Sequence, residues 1–261
     1  MKIEVALIQV RVDLEEEMEV RVNQVLKFLD TLREGTIAIL PELWTIGAFN
    51  YKPITQEVLD SQQSITSQLL KKAKERKIHL HLGSMPSQGR EGLALFNQSK
   101  FFDQTGSLIL EYSKNHLFGG KDGEGKDFTP GNTSATASFS GMTFASAICY
   151  DLRFPELFRD LICKGAETFI ISASWPSARI SHWRTLLTSR AIENQAYVLG
   201  CNAVGSQGGV ELGGNSLIIN PNGEIVAELG VEEGALLSNI DTELVSKSRL
   251  SFPAVSEFLN S

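Results

Sequence analysis

Cysteine is scarce in this chain: Cys149, Cys163 and Cys201 are unevenly spaced among 261 residues, with no Cys-x-x-Cys. An odd, scattered set excludes a disulfide framework and a zinc ribbon, and it suits a reducing compartment. Long apolar runs are missing too, since no stretch approaches the ~20 residues that a membrane helix needs. The amino end, Met1 to Val10, carries Lys2 and Glu4 within its apolar residues and reads as a strand rather than a signal peptide. There is no basic run. With 31 acidic against 24 basic residues the net charge is −7, which argues against nucleic acid or an anionic membrane as a partner. An anionic small molecule would have to be recruited by local arginines or lysines. Proline, glycine and serine are dispersed, so nothing reads as a domain linker. These absences point to a soluble, cytoplasmic protein forming one domain over residues 1–261, and 42% hydrophobic content is enough for a well-covered core.

Strand and helix signals alternate. Ile3 to Val10 is strand-like; Met18, Val22, Val25, Leu26, Leu29 and Leu32 then recur at helical spacing behind Glu15-Glu16-Glu17, acids that suit a helix N-terminus. Thr36 to Leu40 reads as a strand ending at Pro41-Glu42, Ile65 to Lys74 as a helix, and Ile78 to Leu82 as a strand. Leu93 to Phe102 and Ser107 to Tyr112 form a hairpin through Asp103-Gln104-Thr105-Gly106, and Asn220-Pro221-Asn222-Gly223 opens a second one. Thr168 to Ser174 and Tyr197 to Asn202 are further buried strands around a helix over His182 to Asn194. Leu117 to Ser134, rich in glycine and charge, is the longest stretch without such signals, and a loop that long is more often functional than accidental. The pattern is that of an α/β chain with helices covering its sheets.

Three apolar strands stop abruptly at a reactive group. Glu42 follows Ile37 to Pro41, Lys114 follows Leu108 to Ser113, and Cys149 follows the small, apolar Phe144 to Ile148. Pro155 tolerates the first turn of a helix, so Cys149 falls on a tight strand-to-helix turn, a geometry that exposes a nucleophile. A thiol, a carboxylate and an ammonium form a complete acyl-transfer set: one attacks, one moves the proton, one stabilises the oxyanion. Taken singly, each has a plainer reading, as core thiol, helix cap or solvated lysine.

Leu40-Pro41-Glu42-Leu43-Trp44, Lys114-Asn115-His116-Leu117-Phe118 and Ile148-Cys149-Tyr150-Asp151-Leu152-Arg153-Phe154-Pro155-Glu156 resemble the three signature segments of the nitrilase, or carbon–nitrogen hydrolase, superfamily. The likeness extends over residues 3–253, through Ser174-Trp175-Pro176, Ser189 to Gln195 and Gly213-Gly214-Asn215-Ser216. The resemblance implies a four-layer α-β-β-α sandwich, no metal and no organic cofactor, and a homodimer. It also implies Glu42 as general base, Lys114 as oxyanion stabiliser, Cys149 as nucleophile, Glu124 as a second glutamate in the loop after the lysine, and the Tyr150 backbone N–H as the other oxyanion donor.

Trp175 to Arg179 with His182-Trp183 is similar to the small bacterial amidases of the ω-amidase branch, which hydrolyse the terminal amide of short 2-oxo acid amides such as 2-oxoglutaramate. On that reading the partner is a small, carboxylated amide. Arg179 is the first choice for its carboxylate and Arg153 the reserve, although Arg153, flanked by Asp151 and Glu156, also suits a structural ion pair. Trp175 reads as pocket wall or as core. Alternatives are an N-carbamoyl hydrolase of the same superfamily, a catalytically idle scaffold with this fold, and, because His116 is two residues from Lys114, a papain-like Cys–His pair. His79 and His81 alternate on one strand face with no third ligand nearby in sequence, which argues against a metal site. His182 reads as a hydrogen-bonding residue within its helix, and Cys163 and Cys201 read as core thiols.

Overall fold

The computed structural model describes every residue except Tyr51, Arg90, Glu91, Leu93 and Ser261. In chain order its elements are β1 (Lys2–Gln9), α1 (Met18–Thr31), β2 (Ile37–Ile39), α2 (Gln56–Arg76), β3 (His79–His81), β4 (Met85–Gln88), β5 (Leu95–Phe102), β6 (Leu108–Ser113), β7 (Thr136–Phe139), β8 (Met142–Ile148), α3 (Pro155–Cys163), β9 (Thr168–Ala173), α4 (Ile180–Asn194), β10 (Tyr197–Asn202), β11 (Val204–Gln207), β12 (Val210–Gly213), β13 (Leu217–Ile219), β14 (Ile225–Glu228), β15 (Gly234–Asp241), α5 (Leu244–Ser251) and α6 (Ala254–Leu259).

One sheet runs β15-β1-β2-β3-β5-β4, with β6 also paired to β5; the other runs β14-β13-β10-β9-β8-β7, and β11-β12 form a separate ribbon. Alternation of side chains along each strand divides the apolar residues into three layers. Val5, Leu7, Ile37, Ile39 and Phe101 of the first sheet meet Phe144, Ile170, Leu199 and Ile218 of the second. On the outer face of the first sheet, Ala6, Ile8, Ala38 and Leu80 pack against Val22, Val25 and Leu29 of α1 and Ile65, Leu69 and Ala73 of α2. On the outer face of the second, Ala145, Phe169, Ile171 and Val198 pack against Leu157 and Leu161 of α3 and Trp183, Leu187 and Ala191 of α4. The result is the expected four-layer α-β-β-α sandwich.

Differences from the sequence reading have local causes. The helix expected over Ile65 to Lys74 begins earlier, at Gln56, because Thr55 caps it by accepting the Val58 N–H, and it ends at a left-handed Lys77. The expected start of the first hairpin, Leu93, lies outside the described residues. β15 pairs antiparallel with β1 over its full length, a contact between segments distant in sequence that no local pattern encodes. Cys201 is a core thiol as expected, whereas Cys163 is exposed at the end of α3, its side chain turned away from the face that Leu161 and Ile162 bury.

Glycine is required where the first sheet meets the site. Gly83 has φ +70°, and a Cβ there would stand 1.9 Å from the carbonyl oxygen of Pro41, so a side chain would displace the Pro41-Glu42 segment.

Candidate active site

The parallel strands β2, β8 and β9 deliver Glu42, Cys149 and Ser174 just past their ends, and β6 delivers Lys114. Ligands collect at strand ends of this kind. The two sheets are joined there by hydrogen bonds. Ser174 donates its backbone N–H to Glu42 Oε2 at 3.0 Å and its hydroxyl to the Glu42 carbonyl at 2.9 Å, and Ser172 donates its hydroxyl to the Leu40 carbonyl at 2.8 Å.

Lys114 is 1% exposed, and its Nζ donates to Glu42 Oε1 at 2.7 Å and to Glu124 Oε2 at 2.6 Å. Burial opposes the charge on Lys114, but the two carboxylates outweigh it and hold its pKa above the ordinary lysine range. For Glu42 burial dominates and raises its pKa, with Lys114 pulling the other way and Glu124 adding to the rise. Glu124, expected only by resemblance, is fixed by Lys114 and by the Phe118 N–H at 2.6 Å. The glycine-rich segment around it folds into two short 3₁₀ turns, Gly120–Asp122 and Glu124–Lys126.

Cys149 opens a 3₁₀ turn, Cys149–Arg153, with φ +45°, and Pro155 begins α3 as its first residue. A non-glycine residue in left-handed backbone is strained, and such strain concentrates at functional sites. Burial, then the nearby charge of Glu42 and a hydrogen-bonding interaction with it, push the thiol well above its usual range. A shift in that direction favours the protonated thiol.

Asp151 holds this turn. Fully buried, it accepts the Tyr112 hydroxyl at 2.7 Å and the Ile148 N–H at 3.0 Å on Oδ2, and the His116 N–H at 2.9 Å and its Nδ1 at 2.7 Å on Oδ1. His116 thus pairs with Asp151 and stacks on Phe154 at 3.7 Å. The Cys–His alternative is thereby disfavoured: the imidazole serves the carboxylate behind Cys149.

One pocket is lined by Glu42, Lys114, Glu124 and Cys149 together with Tyr150, Trp175, Arg153 and Arg179, so all eight expected residues face it, as do Phe49 and Phe118, which the sequence did not single out. Trp175 is both wall and core: it is 2% exposed, and its indole N–H donates to the Arg179 carbonyl at 2.8 Å. Arg153 makes no ion pair with Asp151 or Glu156, because Asp151 is turned inward and its oxygens are committed. Its guanidinium lies 4.8 Å over the Trp175 ring and 3.4 Å from His182 Nδ1, which draws His182 out of its expected intrahelical role. Among the described residues the Arg179 guanidinium has no hydrogen-bond or ion-pair partner. Asn97 was also missed: its Nδ2 lies 3.1 Å from both Glu42 Oε1 and Glu124 Oε1. An asparagine inside a strand carries no sequence signal of that kind.

The sandwich holds a buried acid–amine–thiol pocket, an arrangement suited to thiol-dependent hydrolysis. The chain belongs to the carbon–nitrogen hydrolase family, whose sequence profile matches residues 4–249. It is 35% identical to a 2-oxoglutaramate amidase of Paenarthrobacter nicotinovorans, over 98% of this chain and 89% of that one. It is 38% identical to a 2-oxoglutaramate amidase of Bacillus subtilis, over 85% and 84%. Among solved structures it is similar to Nit3 of Saccharomyces cerevisiae, a member of branch 10 of the nitrilase superfamily, with a TM-score of 0.81, 27% identity, and 97% and 94% of the two chains covered.

Proposed function

We propose that this chain is an amidase that hydrolyses the terminal amide of a small, carboxylated ω-amide of the 2-oxoglutaramate type, through a thioester on Cys149, as a cytoplasmic homodimer. The observation that carries the reading is the cluster of Glu42, Lys114 and Glu124 in the pocket that the left-handed Cys149 faces. Nothing in such a cluster serves packing, because burying two carboxylates around one ammonium is costly.

The steps follow from the groups present. Glu42 accepts the thiol proton as the Cys149 sulfur bonds to the amide carbon, and Lys114 with the Tyr150 N–H stabilises the oxyanion. When the tetrahedral intermediate collapses, the C–N bond breaks and Glu42 returns the proton to the leaving nitrogen, releasing ammonia. Water then attacks the thioester while Glu42 takes its proton. The C–S bond breaks, the carboxylic acid leaves, and the proton returns to sulfur. The 2-oxo acid end of the substrate carries a carboxylate, and the Arg179 guanidinium, unpaired among the described residues, with Arg153 lining the same pocket over Trp175, supports recruitment of that charge.

A panel of 2-oxoglutaramate, 2-oxosuccinamate, glutamine, N-carbamoyl acids and aliphatic nitriles, followed by ammonia release, tests this. Turnover is expected to be greatest with the 2-oxo amides. Release from nitriles alone, or preference for N-carbamoyl acids, would overturn the substrate class, and no release from any member would favour an idle scaffold.

A further inference from the structure

Asn97 stands outside every motif of the sequence, yet its side chain is fully buried within the acid–amine cluster. It lies on β5 opposite Pro86 of β4, and its carbonyl accepts the Lys114 backbone N–H at 2.9 Å. Strand pairing therefore fixes its Cα on the same peptide units that anchor the lysine. Each hydrogen of its single amide nitrogen serves one carboxylate, Glu42 Oε1 and Glu124 Oε1, both at 3.1 Å. The opposite orientation of the amide would press a third acceptor oxygen against two carboxylates, so chemistry sets its direction. Its own Oδ1 is buried without a hydrogen-bond partner. Leaving an acceptor unsatisfied is costly to the fold, and here it leaves the donor end alone in contact with the site.

The titratable and charged groups facing Glu42 are Lys114 from the end of β6, Glu124 from the loop after it, and Cys149 from the turn after β8. Only Lys114 favours the ionised carboxylate by charge. Glu124 repels it, and burial disfavours it. Among the described residues, Asn97 is the one uncharged side chain that donates to both acids, alongside the Lys114 ammonium.

We propose that Asn97 is a positioning residue for the reaction, clamping the carboxylates of Glu42 and Glu124 around Lys114 and keeping Glu42 in its proton-accepting form. The inference rests on the reading of Glu42 as general base. A hydrogen bond donated to the charged form of an acid lowers its proton affinity, so removing Asn97 raises that of Glu42 and delays its ionisation to higher pH.

The test measures ammonia release against pH for the wild type, Asn97→Ser, Asn97→Asp and Glu42→Gln. Rates are normalised to the Cys149 that iodoacetamide can alkylate. In Asn97→Ser the acidic limb of kcat/KM is expected to move up by about one pH unit, with kcat reduced about tenfold and KM within about twofold. Asn97→Asp, nearly isosteric and carrying a third acid, is expected to move the limb further. Limbs at the wild-type position in both variants would overturn the proposal. So would a loss of rate matched by a loss of alkylatable Cys149, or failure of both variants to fold, because each indicates a purely structural role. Glu42→Gln separates the two levels. If it keeps wild-type turnover and limb, the base reading itself fails; if it is inactive while the Asn97 variants keep the wild-type limb, only the role of Asn97 fails.

Discussion

Ser174 donates its backbone N–H to Oε2 of Glu42 at 3.0 Å, across 132 positions of sequence and from the opposite sheet. The carboxylate read as the base is therefore held by both halves of the sandwich, with its other oxygen taken by Lys114 and Asn97. Reactivity in this pocket is tied to the packing of the two sheets.

Lys114→Met removes the ammonium from between two acids. Turnover is expected to fall by about 10²–10³-fold or more, the typical effect of losing one oxyanion donor. The fold should also lose about 3–5 kcal/mol, because Glu42 and Glu124 are left buried without their cation. Steady-state rates and denaturant unfolding measure the two effects separately.

Burial raises the pKa of Glu42. A base works only when deprotonated, so activity is lost as pH falls through that raised value. The acidic limb of kcat/KM should accordingly lie above the ordinary carboxylate range. Lys114 titrates above its usual range, so its deprotonation should produce no alkaline limb near neutrality. A pH–rate profile checks both.

His81, fully buried between the sheets, is pushed down by burial to a pKa of about 3. Its Nδ1 accepts the Gly83 N–H at 3.2 Å, and its Nε2 bonds Ser146 Oγ at 3.0 Å. The folded value lies below the unfolded value near 6.5, so the unfolded chain binds the extra proton between those limits. Stability from this group is complete above about pH 6.5 and is lost as pH falls toward 3, at up to about 1.4 kcal/mol per pH unit. His81→Gln should flatten that part of a plot of unfolding free energy against pH.

Arg179→Ala should raise KM for 2-oxoglutaramate about tenfold, as expected for loss of one charge-assisted contact. KM for a neutral short amide should hardly change. Equal effects on both substrates would remove Arg179 from carboxylate recognition and return the role to Arg153.

Much of the site was legible because its residues end strands. Glu42, Lys114 and Cys149 each follow an apolar run, and Pro155 marked the helix start that places the thiol on a turn. What could not be read depended on contacts distant in sequence. Asp151 looked like a partner for Arg153 two positions away, but its inward rotation gave its oxygens to Tyr112 and His116 from another strand end. Asn97 sits in Leu95-Phe96-Asn97-Gln98, where nothing local separates it from an ordinary strand polar residue. Pairing of β15 with β1 joins two segments far apart in sequence, which periodicity does not report.

The most direct test of thioester chemistry at Cys149 is the mass of the protein acid-quenched during turnover of 2-oxoglutaramate, followed by peptide mapping. The expected result is an acyl adduct, equal to the substrate less ammonia, on the peptide carrying Cys149, and absent in Cys149→Ala along with ammonia release. Undiminished ammonia release by Cys149→Ala would contradict the mechanism.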